Sequence, residues 1–258
     1  MDSANLGFLA RHLALTEFSG EIEPASGGCY VLGDELWAAI WAPEELTDPE
    51  AYIKATVEAA EQHGLSWAGA VAITPPARES DPLVAALSEA LFIYGYEQRN
   101  ELGSGGPDTV LVLASPQAAV QSVEISDVEP EALDEAATQL LNEARGAPEQ
   151  LSSPWRRLRP GWLKGTKAHV AVLDGQPAGL VIVRYGELAS RVVLLYVAED
   201  HRQQGIGQAL LAHSVDGAQA MGKMLNTIWV YRGGKLRYYF TKQGYAEQLS
   251  ALYFIAEK

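Results

Sequence analysis

The sequence predicts an α/β chain of the α+β kind, a mixed central sheet flanked by helices. Three observations predict it. Short apolar runs bounded by turn residues recur along the 258 residues, and such runs are strand signals. Between them lie segments with apolar residues three and four apart, the mark of helices packed by one face. In the second half, strands joined by tight turns give way to strand–helix–strand units, an order that mixes antiparallel and parallel pairing in one sheet.

The length suits one large or two ordinary domains. Hydrophobic residues make up 48%, ample for buried cores and against wholesale disorder. No apolar run approaches the roughly 18 residues of a membrane span. The start, Met1-Asp2-Ser3-Ala4-Asn5, lacks the basic flank and apolar run of a signal peptide. Cys29 is the only cysteine, which excludes an internal disulfide and a cysteine-based zinc site. A cytoplasmic protein with no membrane partner and no metal is expected, and the sequence leaves room for a homodimer.

The net charge is −14, unevenly placed. Residues 1–120 hold 18 acidic and 4 basic side chains, and residues 121–258 hold 15 of each. The asymmetry suggests two units of different character. The acidic half serves solubility or steers a cationic substrate. So acidic a chain is a poor partner for nucleic acid.

In chain order, residues 5–18 place Leu6, Leu9, Leu13 and Phe18 at spacing compatible with a short helix. Residues 20–28 form a turn-rich connector. Residues 29–41 form a hairpin with a Gly33-Asp34 turn; Trp37 and Trp41 on it are core residues or a ligand wall. Asp48-Pro49-Glu50 starts a helix, with Asp as cap and Pro at the first position, and Gly64 ends it. Residues 67–73 form a strand closed by Pro75-Pro76. Asp81-Pro82 opens a second helix, Gly95-Tyr96 follows, and 109–114 form a strand. His12 and His63 are lone histidines on helix surfaces.

The second half begins with a short strand at 123–125. Pro130 begins a helix with Leu133, Ala137, Leu140 and Leu141 on its apolar side, and Gly146 ends it. A basic, aromatic segment follows, with Trp155, Arg156, Arg157, Arg159, Trp162 and Lys164. Residues 168–173 and 177–184 make a hairpin around Asp174-Gly175, a strong short-range signal. The apolar run Val192-Val193-Leu194-Leu195-Tyr196-Val197 is the third strand. Arg202-Gln203-Gln204-Gly205-Ile206-Gly207 then leads into a helix to about Met221. A strand at 226–231, a helix at 235–243, Gly244-Tyr245 and a strand at 251–256 complete the chain.

Strand, glycine turn, helix: that order aims backbone N–H groups at one point from the positive end of a helix dipole. Such a nest suits a phosphate or pyrophosphate. A dinucleotide site wants G-x-G-x-x-G/A opening the first strand–helix pair. Here the third position is Leu210 and hairpins precede the turn, so that site is rejected.

Over about 123–258 the chain resembles the GCN5-related N-acetyltransferase (GNAT) family. The R/Q-x-x-G-x-G turn is matched by Arg202, Gly205 and Gly207, with the strand before it, the helix after it and Gly244-Tyr245 downstream. The resemblance implies acetyl-CoA as co-substrate. It places the pantetheine arm along Leu195, Tyr196 and Val197, and the pyrophosphate at Arg202 and the amides of Gln203, Gln204, Gly205, Ile206, Gly207 and Gln208. Glycine at 205 and 207 lets phosphate approach the backbone.

Two family features are altered. Members commonly carry Asn near the start of the last helix and, seven residues on, a Tyr that protonates the leaving thiolate. Counted back from Gly244, those positions hold Gly233 and Phe240. Tyr239 is the candidate replacement acid, with Tyr238 beside it; one residue on a helix is about 100° of rotation. For the base, Glu199 is the candidate, with Asp200 and His201 next to it. The basic segment at 154–164 is either a lip around an anionic acceptor or the CoA 3′-phosphate, or a surface loop anchored by tryptophans.

Gly95-Tyr96-Glu97-Gln98 repeats Gly244-Tyr245-Ala246-Glu247-Gln248. Read backwards, each half has strand, Gly-Tyr, helix, strand, helix. The first half lacks the glycine turn and has Pro43-Glu44-Glu45-Leu46-Thr47-Asp48-Pro49 in its place. The expectation is therefore a tandem chain: residues 1–118 a degenerate copy, residues 119–258 the acetyl-CoA-binding domain. The function expected is direct transfer of acetyl to a primary amine of an unidentified small-molecule or peptide acceptor. The alternative is an acyl-CoA-binding sensor or scaffold without turnover, motivated by Gly233 and Phe240.

Overall fold

A computed structural model describes residues 20–25, 28–33, 36–40, 48–64, 67–74, 82–93, 96–99, 108–113, 123–146, 165–232 and 234–256. The predicted helix at 5–18, residues 41–47, the basic segment at 154–164 and Gly233 lie outside them. The chain divides into two compact units. One takes in the chain up to Thr109 together with Gln248–Lys258; the other is Val110–Glu247. The division thus does not fall at a single point in the sequence.

In the first unit, β1 (Gly20–Ala25), β2 (Gly28–Gly33) and β3 (Leu36–Ile40) are antiparallel neighbours. Residues 20–25, expected as a connector, are a strand: pairing with β2 from Gly20–Gly33 to Ala25–Gly28 overrides the turn-like composition. Its Pro24 is tolerated because β1 ends the strand order. Helix α1 (Pro49–Gln62) crosses to β4 (Trp67–Thr74), which joins β3 in parallel. Asp48 caps α1, its Oδ1 accepting from the Ala51 N–H at 2.9 Å, with Pro49 just inside. Tyr52, Ile53, Ala59 and Ala60 form the buried stripe of α1. After α2 (Pro82–Ile93) comes β5 (Tyr96–Arg99).

In the second unit the strand order is β6 (Asp108–Leu113), β11 (Leu225–Tyr231), β10 (Ala189–Val197), β9 (Gln176–Tyr185), β8 (Thr166–Leu173), β7 (Glu124–Val128). Pairing is antiparallel from β7 to β10 and parallel between β10 and β11, the mixed sheet expected from the element order. Asp174 and Gly175 both have positive φ, 51° and 77°, as a two-residue hairpin turn with right-handed twist requires. Helix α3 (Glu135–Gly146) starts later than Pro130. Pro130 opens a separate 3-10 turn, and Asp134 caps the helix proper by accepting from the Ala137 N–H at 2.7 Å.

Strand β9 is buried on both faces. Leu180 and Ile182 join Leu140, Leu141 and Ala144 of α3. Val181 and Val183 join Ile206, Leu210 and Leu211 of α4 (Ile206–Ala220) on the other face. Helix α5 (Lys235–Lys242) adds Phe240 to that second layer. The last strand, β12 (Tyr245–Ala256), is longer than expected. Its Ser250–Phe254 pair antiparallel with β4 and its Tyr253–Ala256 with β5. No helix among the described residues is long and apolar enough to cross a membrane.

Candidate active site

Strand β10 changes character halfway. Its parallel pairing with β11 runs from Ala189–Leu225 to Val192–Ile228 and ends there among the described residues. At the same level its register with β9 shifts between Val192 and Leu194, a bulge that bends the strand and raises its twist. Leu195 and Val197, still paired with Val181 and Gly179 of β9, therefore lie beyond the part paired with β11, beside a cleft. A buried polar network ties the closed end. The Asn226 Nδ2 donates to Ser190 Oγ at 2.9 Å, Thr227 Oγ1 donates to the Ser190 carbonyl at 3.1 Å, and the Tyr245 hydroxyl donates to Asn226 Oδ1. The Gly-Tyr signal at 244–245 thus supplies a residue that fastens β10 to β11 below the opening.

The glycine turn closes the cleft at its other end. A 3-10 turn, Glu199–His201, leaves the strand. Gln203 and Gly205 take positive φ, 63° and 80°, and α4 begins at Ile206 with Gly205 as N-cap. A glycine offers no side-chain acceptor, so no side chain caps the helix. The positive end of the α4 dipole is left for an external anion. Two side chains hold the loop: Arg202 Nε donates to the Val197 carbonyl at 3.1 Å, and Gln204 Nε2 donates to the Asp200 carbonyl at 3.1 Å.

The turn and strand end surround a cavity of about 370 Å³. Of the ten expected cofactor residues, Leu195, Val197, Arg202, Gln203, Gly205, Ile206, Gly207 and Gln208 line it, joined by His201, Leu236, Tyr239 and Gln243. Tyr196 and Gln204 do not. Strand alternation turns Tyr196 to the α3 face, where its hydroxyl donates to Glu143 Oε2 at 3.4 Å. Gln204 is exposed and engaged with Asp200. Leu236 and Gln243 carried no sequence signal, since helical phase alone brings them to this wall.

Helix α5 sorts its three aromatic residues. Tyr239 lines the cavity, and its hydroxyl reaches the turn: a Cβ at Gly207 would stand 2.9 Å from it. Burial pushes the Tyr239 pKa up to about 12, so the phenol stays a donor at neutral pH. Phe240 is 1% exposed in the core, edge-on to Tyr239 and Tyr245 at 5.2 and 5.6 Å. Tyr238 points outward, with the Lys242 ammonium over its ring at 4.4 Å.

Glu199 does not line the cavity that holds Tyr239. The 3-10 turn carries it, exposed, to a second cavity on the α3 face, with Gln139, Glu143, Tyr196 and Asp200. His201 borders both cavities. Of the three base candidates it is the one placed beside both the cofactor turn and the α3 face.

Residues 164–247, which carry the whole cavity, match the family model described as an acetyltransferase (GNAT) domain. The fold is also that of solved structures. A GCN5-related N-acetyltransferase from Kribbella flavida aligns with a TM-score of 0.59 and 16% identity over 98% of this chain and 96% of that chain. A functionally unknown conserved protein from Staphylococcus epidermidis ATCC 12228 aligns at 0.56 and 13% over 93% and 95%. A GCN5-related N-acetyltransferase from Sphaerobacter thermophilus aligns at 0.54 and 14% over 98% and 93%. At such identities the likeness is one of fold. No curated protein matches the sequence.

Proposed function

We propose that the chain is an acetyl-CoA-dependent N-acetyltransferase acting on a primary amine, a reading supported by the match of residues 164–247 to the acetyltransferase (GNAT) domain model. The observation that carries this reading is the meeting of Tyr239 with the glycine turn in one cavity. The uncapped start of α4 takes the pyrophosphate, and Leu195 and Val197 take the pantetheine arm. The neutral amine attacks the thioester carbonyl carbon directly, a C–N bond forms and the C–S bond breaks. The amine's proton passes to solvent, with His201 or Glu199 as relay. The Tyr239 hydroxyl donates to the departing sulfur, stabilising charge that develops only in the transition state. Solvent supplies the proton that completes the CoA thiol.

The acceptor is an amine-bearing small molecule or peptide, met in the cytoplasm. The first unit belongs to the same proposal as a copy without acetyl-CoA. What supports this is that α1 connects β3 to its parallel neighbour β4 as α4 connects β10 to its parallel neighbour β11. There Asp48 fills the helix N-terminus with the chain's own carboxylate, which would repel a phosphate.

The test is release of free thiol from acetyl-CoA over a broad panel of amines. Thiol release with at least one amine class is the expected outcome. Tight CoA binding without release over the whole panel would replace the enzyme by a sensor or scaffold. Gly205→Glu puts a carboxylate and a strained φ at the nest and should abolish CoA binding; retained binding would defeat the site assignment.

A further inference from the structure

Three titratable side chains outside the cavity converge in the second unit: Asp127 on β7, His169 on β8 and His213 on α4. Asp127 and His169 are directly opposite in the strand register. Asp127 Oδ1 lies 2.8 Å from His169 Nδ1 and 2.7 Å from His213 Nε2. The imidazoles meet edge to face, with centroids 5.0 Å apart. One donor atom from each residue falls within 4.8 Å of the other two.

We propose that this trio is a binding site for a divalent transition-metal ion, zinc first, with open positions for water. The donor set is the first reason. Two imidazoles and one carboxylate suit zinc and its first-row neighbours; calcium and magnesium prefer all-oxygen shells. The second reason is how His169 is held. Its side chain is 4% exposed, and its Nε2 lies 3.1 Å from the Tyr185 hydroxyl. A fixed partner on the far nitrogen is the usual way a protein orients a metal-ligating imidazole. The third reason is access. The side chains of Asp127 and His213 are 64% and 36% exposed, so an ion can enter with its remaining waters.

The distances fit a metal after a small adjustment. Ligands at about 2.0–2.1 Å in a tetrahedral site stand about 3.3 Å apart. The two Asp127 contacts at 2.7 and 2.8 Å must open by about half an ångström, which rotation of the exposed Asp127 supplies. The two imidazole nitrogens, within 4.8 Å of each other, must come to the same spacing, which rotation of the half-exposed His213 supplies. Each imidazole presents a lone pair by moving its proton to its other nitrogen. On His169 that nitrogen then donates to the Tyr185 oxygen. The ion would fasten α4, whose first turn is the glycine nest, to β7 and β8.

Chelator-treated full-length protein is titrated with Zn²⁺ and with Co²⁺, by calorimetry and by visible d–d absorption. Wild type is expected to bind one ion, to show the absorption of a low-coordinate Co²⁺ site, and to melt at a higher temperature with Zn²⁺. Asp127→Ala and His213→Ala sit at exposed positions. Each is expected to weaken Zn²⁺ binding by at least about tenfold, with an unchanged circular dichroism spectrum; His213→Gln serves where the alanine variant does not fold. The proposal is overturned by wild type that binds no Zn²⁺ stoichiometrically, by variants that bind as wild type does, or by a site that takes Ca²⁺ or Mg²⁺ in preference. Acetyl transfer is not part of the readout, so the result stands apart from the proposed function.

Discussion

The hydroxyl of Tyr239 stands 2.9 Å from the point that a Cβ on Gly207 would occupy. Glycine at 207 thus leaves room for the tyrosine hydroxyl. Val197 Cγ2 and Leu195 Cδ2 lie 3.6 and 3.9 Å from the same point, at ordinary contact distance, so the phenol is the group that must move. Gly207→Ala should displace the hydroxyl and lower kcat by roughly two orders of magnitude, the usual worth of a positioned proton donor. The double variant Gly207→Ala/Tyr239→Phe removes the clash. It should bind acetyl-CoA better than Gly207→Ala alone and remain slow in thiol release. Full turnover by Gly207→Ala would show that Tyr239 has no part in the reaction.

Phe240 occupies the position where family members commonly carry tyrosine, yet it is a core residue. Phe240→Tyr should therefore not improve catalysis. It would bury a hydroxyl among Phe240's apolar neighbours, at a cost of about 1–3 kcal/mol when unsatisfied. The measurement is a urea midpoint beside kcat. A variant with higher kcat and unchanged stability would mean that the wrong tyrosine has been assigned.

These two residues also mark where sequence stops informing. The glycine turn was legible because positive φ and close approach restrict residue type at 203–207, whatever the surroundings. The Asp174-Gly175 hairpin was legible for the same local reason. Which of Tyr238, Tyr239 and Phe240 faces the cavity depends on the rotation of α5, and packing of Phe240 against Tyr245 sets that. Strand β1 was hidden because its Gly20 and Pro24 look like a turn until β2 supplies partners. The meeting of Asp127, His169 and His213 left no trace, since 42 and 86 residues separate Asp127 from the two histidines. Only the strand register and the seating of α4 bring them together.

Burial of phenols predicts a fall in stability at high pH. Tyr185 and Tyr239 are each pushed up to about 12, and Tyr245 is raised as well, all chiefly by burial. An unfolded tyrosine titrates near 10. Between about pH 10 and 12 the unfolded chain binds fewer protons than the native one, so unfolding becomes easier by up to about 1.4 kcal/mol per pH unit for well-buried Tyr239, and by less for half-buried Tyr185, which solvent screens. Below about pH 10 both states are protonated and these groups add no slope. Urea midpoints should be flat on the neutral side and drop through that window. Tyr239→Phe should make the drop shallower; an equal slope in the variant would refute the burial assignment.

The two helix starts, α1 and α4, make the last prediction. Each connects an antiparallel strand to a parallel neighbour, β3 to β4 and β10 to β11, and they differ in the residue that caps them: Asp48 against Gly205. Asp48 satisfies the Ala51 N–H within the chain, while Gly205 leaves the α4 amides to a ligand. Asp48→Ala should cost about 1 kcal/mol of stability, the worth of an N-cap. It should leave acetyl-CoA affinity and stoichiometry unchanged, because removing a carboxylate does not build the left-handed turn that Gln203 and Gly205 provide. Calorimetry on wild type and variant decides it. A second equivalent of acetyl-CoA bound by Asp48→Ala would mean that the first unit keeps a complete site which its own aspartate merely blocks.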